Sequence, residues 1–498
     1  MNYYLGIDIG TFESKGILAD QQGNIIASAA KPHKMLVQQA GWAEHRPIED
    51  WWGDFTFLAK KLLADSKISP AAIRAVGTSA IGPCMLPVNE AGEPLMNAVL
   101  YGVDTRAAKE IDELTARIGA ERILDYCGNA LTSQSVGPKI LWLKRNRQEI
   151  FAQTHKILTS TSYLVFRLTG KFVIDHYTAA NSAPLYSAEQ RQYSDELTSD
   201  IIPLGRLPDI IWTTDIAGTV TEKAAEETGL VIGTPVICGT VDAAAEAISV
   251  GVLEPRDMML MYGSTIFIIA ITSKRVKDGR LWYAPWLFPD QHASMAGLAT
   301  SGTLTHWFHE ILARELDPAR AMVELVAEAN ASPPGAKGLV MLPYFSGERT
   351  PIHDTHAKGT IFGLNLTHTR GDLFRAALEG IAFGTRHILE TYDDVGETPR
   401  NIFAVGGGTR NKVWAQATSD ISGKSQILRS KSMGASYGNA FLAAIAIGDA
   451  RLEDIKSWNP VASEFSADTE HVEIYRKHYG VFRNLYERNR DLMRELGS

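Results

Sequence analysis

Leu5-Gly-Ile-Asp8-Ile-Gly10-Thr11-Phe-Glu-Ser14-Lys15-Gly-Ile-Leu-Ala19 carries one apolar run into Asp-x-Gly-Thr and leaves it through a second apolar run. The pattern predicts two β-strands joined by a tight hairpin. Gly10 lets the backbone approach an anion, and Thr11 and Ser14 offer amides and hydroxyls to phosphate oxygens. Lys15 adds positive charge, and Asp8 can hold a hydrated Mg2+ beside them. This combination points to the polyphosphate of ATP. No G-x-G-x-x-G follows the strand, which speaks against a dinucleotide. The competing reading is a plain turn in which Asp8 and Gly10 serve only the backbone.

The plan recurs. Asp257-Met-Met-Leu-Met-Tyr262-Gly263-Ser264-Thr265-Ile-Phe-Ile-Ile-Ala-Ile-Thr is again an apolar strand, a glycine with hydroxyls, and an apolar strand. A weaker echo links Ile73-Arg-Ala-Val-Gly77-Thr78-Ser79-Ala80 with Ile402-Phe-Ala-Val-Gly406-Gly407-Gly408-Thr409. Matching glycine-rich turns in two halves suggest a duplicated α/β domain gripping one nucleotide.

The bulk numbers narrow the function. With 498 residues, 45% of them hydrophobic, the chain has material for two large domains. A formal charge of −8, without any long basic run, gives no field for nucleic acid. Cys84, Cys127 and Cys238 are odd in number and far apart, so reduced buried thiols are expected rather than a disulfide framework. Asp8 and Glu13 interrupt any apolar leader, and the apolar stretches Met258–Thr272 and Ala440–Ile447 are broken or too short to span a bilayer. The expectation is a cytoplasmic protein with no membrane role.

Short β-branched or aromatic runs alternate with helical patterns through the first half, an α/β layout. Gly233-Thr-Pro235-Val-Ile-Cys-Gly239-Thr-Val-Asp242 reads as a strand ending on Asp242, followed by a small-residue helix over Ala243–Val250. The domain boundary is placed near Gly251, giving domains over 1–250 and 251–498. Later helices are predicted at Ser301 to about Leu316, Asp372–Tyr392, Lys412–Ser422 and Tyr437–Ile447.

Asp242 is the candidate base, because a carboxylate at the carboxyl end of a strand and the start of a helix faces the place where α/β proteins bind ligands. It can take the proton of a sugar hydroxyl as that oxygen attacks the γ-phosphorus of ATP. Helix N-capping is the competing role. Gly10-Thr11 and Gly263-Ser264-Thr265 would donate to the phosphates from two sides. Gly407, Gly408 and Asn411 follow a strand and precede a helix, so their backbone can meet the nucleotide, with Asn411 near the base; Gly434–Gly438 can pack on the adenosine.

Other motifs fail. Gly423-Lys424-Ser425 mimics the end of a P-loop, but Thr418 stands where the leading glycine belongs. His306 with His309, and His353 with His356, sit in no metal motif and are read as structural or solvent-facing. Trp51, Trp52 and Trp142 are read as core.

Gly359-Thr-Ile-Phe-Gly363-Leu-Asn-Leu-Thr-His-Thr-Arg-Gly-Asp372-Leu-Phe-Arg-Ala376-Ala-Leu-Glu379 resembles the second signature of the FGGY family of carbohydrate kinases, which belongs to the sugar kinase, actin and heat-shock ATPase fold group. Lys139-Ile-Leu-Trp142-Leu-Lys-Arg-Asn146 fits the first signature, with Gln134 and Val136 departing at its start. Ser346-Gly347-Glu348-Arg349-Thr350-Pro351 and Gly41-Trp42-Ala43-Glu44 resemble the xylulokinase and gluconate kinase branches. The resemblance implies two ribonuclease-H-like domains around an ATP and sugar cleft. It also implies Asp8 as the metal-linked acid, Asp242 as base, Gly263–Thr265 as second phosphate loop, and Gly407, Gly408 and Asn411 as nucleotide contacts. The implied activity is ATP- and Mg2+-dependent phosphorylation of a ketose, polyol or sugar acid, in a family where homodimers are common.

The sugar pocket would draw on Asp242, Asp104, Arg106 and the loop Ser79, Ala80, Ile81 and Gly82. Bacterial xylulokinases typically carry Gln-Met-His-Gly in place of that loop, Asn in place of Ala243, and Trp-Asn-Asp-x-Arg where this chain has Tyr101-Gly-Val-Asp104-Thr105-Arg106. Losing hydrogen bonds of that kind to sugar hydroxyls shifts preference by orders of magnitude. D-xylulose is the first expectation, with another ketose, polyol or aldonate as rival. An ATP-binding regulator of the same fold group is the alternative from another class.

Overall fold

Strands β1 (Tyr3–Ile9) and β2 (Glu13–Asp20) form the hairpin predicted from the opening residues, closed by the Gly10 amide donating to the Glu13 carbonyl at 3.1 Å. The computed structural model describes residues 2–496. β3 (Ile25–Pro32) extends the antiparallel meander, and helix α1 (Gly53–Ser66) lays Phe55, Leu58, Ala59 and Leu62 into the core. β4 (Ile73–Ala80) runs parallel to β1 on its other side. The connection between β1 and β4 therefore passes over the sheet through α1, the crossover that a parallel pair requires.

Helices α2 (Val136–Asn146) and α3 (Ser160–Thr169) follow, the latter capped by Thr159 and stopped by Gly170 in the left-handed conformation. Strands β5 (Ile216–Thr219), β6 (Pro235–Ile237) and β7 (Thr240–Val241) complete the first sheet, ordered β5-β6-β4-β1-β2-β3 with β7 also paired to β4. Helix α4 (Asp242–Ser249) springs directly from β7.

The chain divides into two compact units. The first holds residues up to Leu253 together with Tyr283–Ala293 and Met433–Pro460; the second holds Glu254–Trp282, Ser294–Ser432 and the residues from Val461 onward. The late segment gives the first unit a helix, Ala435–Ala446, that packs on β1, β4 and α4. That packing is backbone on backbone. A β-carbon on Gly77 would come within 2.2 Å of the Asn439 carbonyl carbon's oxygen, and one on Gly438 within 1.9 Å of the Ala245 carbonyl oxygen.

In the second unit β8 (Asp257–Tyr262) and β9 (Ile266–Thr272) repeat the hairpin, with β10 (His292–Leu298) beyond β9. Helices α5 (Gly302–Leu312), α6 (Ala321–Ala331) and α7 (Arg370–Asp394) come next; α7 begins with a capping box between Thr369 and Asp372. β11 (Asn401–Val405) lies parallel to β8, as β4 does to β1. Helix α8 (Lys412–Ser422), strands β12 (Gln426–Arg429) and β13 (Val461–Phe465), and helix α9 (Val472–Glu495) finish the unit. Among the described residues no helix is long and apolar enough to cross a membrane.

The glycine interface generates a stability prediction. Gly438→Ala should lower the thermal midpoint, at a cost of about 1–3 kcal/mol for overpacking. Gly480→Ala is the control, because a β-carbon there meets nothing within 4 Å, and replacing this exposed glycine inside α9 should be neutral or stabilising by up to about 1 kcal/mol. Equal effects of the two substitutions in thermal melts would refute the close-approach account.

Candidate active site

Three parallel strands bring the acidic residues together. Across β1 and β4, Asp8 pairs in register with Ser79; across β4 and β7, Ser79 pairs with Thr240, two residues before Asp242. Ser79 Oγ donates to Asp8 Oδ1 at 2.8 Å and accepts from Asn439 Nδ2 at 2.7 Å, so the helix Ala435–Ala446 orients Asp8 through a fully buried hydroxyl. Asp242 stands at the first position of α4, with Val241 as N-cap, and its Oδ1 accepts from the Ala243 amide at 2.7 Å. It does not cap the helix by the usual bond to an amide two or three residues on.

One turn along α4, Glu246 adds a third carboxylate. Burial pushes all three upward from the carboxylate range. For Asp8 the charges of Asp242 and Glu246 add to the shift, against the Ser79 hydrogen bond and Lys15. For Asp242 burial dominates and the Ala243 amide opposes it. Glu246 is raised to about 7 by burial and by the charge of Asp242, with Lys15 opposing. The described residues contain no group of three or more His, Cys, Asp or Glu arranged to hold a metal ion by themselves.

Along β2 the side chains alternate, with Glu13 and Lys15 outward and Ser14 inward. Ser14 was expected on phosphate, yet it is fully buried and donates its hydroxyl to Asp54 Oδ2 at 2.7 Å. Its parity in the strand removes it from the anion-facing set. Gly10, Thr11 and Lys15 remain at the surface or partly so. Thr11 Oγ1 lies 3.0 Å from the Tyr101 hydroxyl.

The residues expected around the sugar are largely buried or closed on one another. Ser79, Ala80 and Ile81 are buried inside the sheet end, and only Gly82 of that loop is partly exposed. Asp104 and Arg106 close on each other instead of lining an open pocket. Arg106 Nη2 lies 2.8 Å from Asp104 Oδ2 and 2.8 Å from Glu44 Oε1, and Asp104 Oδ2 also accepts from the Ala43 amide at 2.7 Å. The guanidinium is stacked 3.9 Å from the Trp42 ring centroid and fully buried. A desolvated ion pair of this kind organises Gly41–Glu44 against the Tyr101 loop. Arg106 Nη1 is buried without a partner among the described residues.

In the second unit, Gly263, Ser264, Gly407, Gly408 and Asn411 line one cavity of about 650 Å3. The Gly263–Thr265 turn is closed by the Gly263 amide on the Thr265 carbonyl at 3.1 Å, and the start of α5 folds onto it through the Gly302 amide on the Gly263 carbonyl at 3.0 Å. Thr265 does not line the cavity. Asn411 Oδ1 caps α8 by accepting from the Trp414 amide at 3.1 Å. His306, read as structural from sequence, lines the cavity with Met322 and Val326, and the buried Trp414 indole N–H has no partner among the described residues. Gly434–Gly438 belongs to the first unit, where the Tyr437 hydroxyl lies 2.7 Å from the Gly23 carbonyl oxygen and 2.8 Å from that of Trp458; it does not line this cavity.

Sequence reasoning missed Glu246, whose signal was its spacing of four from Asp242, and Asn439, for which the sequence offered none. The tryptophans 51, 52 and 142 are buried in the core, as read. Gly423 is the left-handed C-cap of α8, which explains the false P-loop ending.

Comparison with known proteins places this geometry. Residues 3–249 match the N-terminal domain of the FGGY family of carbohydrate kinases, and 258–447 match its C-terminal domain. The chain is 30% identical over 499 residues to a protein named xylulose kinase from Escherichia coli K12, covering 98% of this chain and all of that one. A xylulose kinase from Bacillus subtilis is 27% identical over 503 residues, covering 100% and 99% of the two chains. The crystal structure of xylulose kinase from Rhodospirillum rubrum superposes with a TM-score of 0.92 at 30% identity, over 99% of this chain and 100% of that one. A gluconate kinase from Lactobacillus acidophilus, at 24% identity and a TM-score of 0.89 over 98% of both chains, shares the fold. This chain belongs to the FGGY family of carbohydrate kinases, with the two-domain α/β fold of that family.

Proposed function

We propose that the chain transfers the γ-phosphoryl group of ATP to a hydroxyl of a small ketose, with D-xylulose as first acceptor and Asp242 as general base. The observation that carries this reading is the register of β1, β4 and β7, which brings Asp8 and Asp242 to the ends of the two strands that flank β4. Full-length similarity to proteins named xylulose kinase supports the choice of acceptor. Three buried free cysteines fit a cytoplasmic setting.

In this mechanism Asp242 accepts the proton of the acceptor hydroxyl while its oxygen bonds to the γ-phosphorus and the bond to the β-bridging oxygen breaks, releasing ADP. Burial raises the affinity of Asp242 for that proton, which suits a base that must take one from an alcohol. Gly10 and Thr11 act on the phosphate from one hairpin; Gly263 and Ser264, with Gly407, Gly408 and Asn411, hold the nucleotide in the second unit. Asp8 would hold Mg2+ through water, since an octahedral ion needs only one or two carboxylates beside its phosphates. The surplus negative charge felt by Asp8 fits such an ion, which when bound offsets charge on the phosphates.

A second reading keeps the reaction and changes the acceptor. It is favoured by the closed Arg106, Asp104 and Glu44 cluster and by the burial of Ser79, Ala80 and Ile81, which leave few polar side chains to hold a ketose in the expected way. Another ketose, a polyol or an aldonate is then the substrate.

Coupled ADP release with Mg-ATP, across ketoses, polyols and aldonates against a sugar-free blank, decides between the readings. Stimulation by D-xylulose is the expected outcome; stimulation by another compound alone reassigns the acceptor, and none at all refutes the kinase reading. Asp242→Ala should lower kcat about 10²–10⁴-fold or more while ATP still raises the melting temperature, and unchanged turnover would remove Asp242 as base.

The crowded carboxylates also set a pH dependence of stability. Glu246 binds its proton more tightly folded, at about 7, than at its ordinary 4.5. The folded state therefore holds more protons than the unfolded one between those values, and stability falls as pH rises through the window. Glu246→Gln should melt higher than wild type at pH 8, by roughly 2–4 °C for each kcal/mol relieved, with the advantage closing as pH falls toward 4.5. A constant difference across that range in melting curves would refute the assignment.

A further inference from the structure

Behind the Gly10–Thr11 turn lies a closed polar cluster that the proposed chemistry does not use. His33 Nδ1 lies 2.8 Å from Asp54 Oδ2, and its Nε2 lies 3.0 Å from the Gly10 carbonyl oxygen. A carboxylate and a carbonyl only accept, so both bonds exist together only when both ring nitrogens carry protons. Asp54 is itself an anion. Burial opposes its ionisation, but hydrogen bonds from His33, Lys31 and Ser14 outweigh it and hold the carboxyl below its ordinary range. The His33 and Asp54 side chains are only 4% and 1% exposed, so the pair is fixed inside the fold rather than at its rim.

A second imidazole grips the next residue. His45 Nε2 lies 3.1 Å from the Thr11 carbonyl oxygen, and its Nδ1 accepts from the Trp51 indole N–H at 3.1 Å. One donor and one acceptor define a neutral ring. Burial first, and then the charge of His33, push His45 down to about 4, in keeping with that form. The two rings meet edge to face with centroids 4.9 Å apart. The charged groups around His33 are thus Asp54 and Lys31, with His45 neutral beside it.

The consequence follows from peptide geometry. In a trans peptide the C=O and the following N–H point in opposite directions. Holding the Gly10 and Thr11 carbonyls back against the imidazoles turns the amides of Thr11 and Phe12 the other way, a pair of adjacent donors of the kind that cradles anions. We infer that His33 is a positioning residue for phosphoryl transfer: a buried imidazolium, locked by Asp54, that holds the Gly10 carbonyl and keeps two successive amides aimed at the phosphate. The inference rests on the reading of this hairpin as the phosphate site. It also adds the Phe12 amide to the donors, a residue whose exposed side chain offers phosphate nothing.

The test is kinetic. His33→Phe keeps the ring and removes both N–H groups, His33→Gln restores one amide donor, and Gly10→Ala tests the hairpin itself. We expect His33→Phe to lower kcat for sugar-dependent ADP release about 10–100-fold, as loss of a supporting partner does elsewhere, with the sugar KM unchanged and part of the loss regained in His33→Gln. Equal kcat in His33→Phe and wild type, with Gly10→Ala inactive, overturns the role of His33 and leaves the hairpin reading standing. Full activity in Gly10→Ala overturns the hairpin reading and the inference with it. If His33→Phe does not fold, the wild-type protein still decides: histidine-selective 15N labelling should show both His33 ring nitrogens protonated at the assay pH, and one bare nitrogen overturns the proposal.

Discussion

Three carboxylates share one poorly solvated corner of the first unit, and much of the surrounding structure answers that constraint. Negative charges brought together away from water cost free energy unless something offsets them. Here the offsets are few: one serine hydroxyl on Asp8, one amide on Asp242, and the charge of Lys15 felt at a distance. The corner exists only because β1, β4 and β7 end side by side and α4 starts at that point. A corner built this way favours positive charge nearby, because its carboxylates have few partners of their own.

The duplication shows how one plan was put to two uses. In the first unit Asp8, two residues before the turn glycine, pairs with Ser79 on the parallel neighbour; at the same place in the second unit Met261, two residues before Gly263, pairs with Val405. The backbone arrangement is the same, but a polar pair has become an apolar one. The second unit accordingly builds no acidic corner from these positions and opens instead a cavity walled by Tyr262, Met322, Val326 and Trp414. The same strand position thus carries a carboxylate in one copy and a methionine in the other.

What was legible in the sequence was local. The two hairpins are encoded within a few residues of themselves and form over those residues, whereas the strand expected to run to Asp242 is interrupted at Cys238-Gly239 and Asp242 opens the following helix. The misplaced residues fall into two kinds. Ser14 could have been assigned correctly, since Glu13 and Lys15 on either side mark the outward face of β2. Arg106 could not, because whether it faces a ligand or an internal partner depends on Glu44, 62 residues away, and the same holds for Asn439, 360 residues from Ser79. Pairings over such distances leave no periodicity to read. They are also where the acidic corner acquires its orientation, as Asn439 does for Asp8 through Ser79.

The helix Ala435–Ala446 lies against β1 and β4 with glycines where side chains would collide, yet it emerges from the ribosome more than 350 residues after those strands. During synthesis the first sheet must wait with one face uncovered while the whole of the second unit is made. A fragment ending near residue 250, however natural that boundary looks on paper, exposes the same apolar face permanently. Biogenesis of this enzyme therefore has a built-in interval of vulnerability to aggregation, and its first unit becomes complete only when the chain is nearly finished.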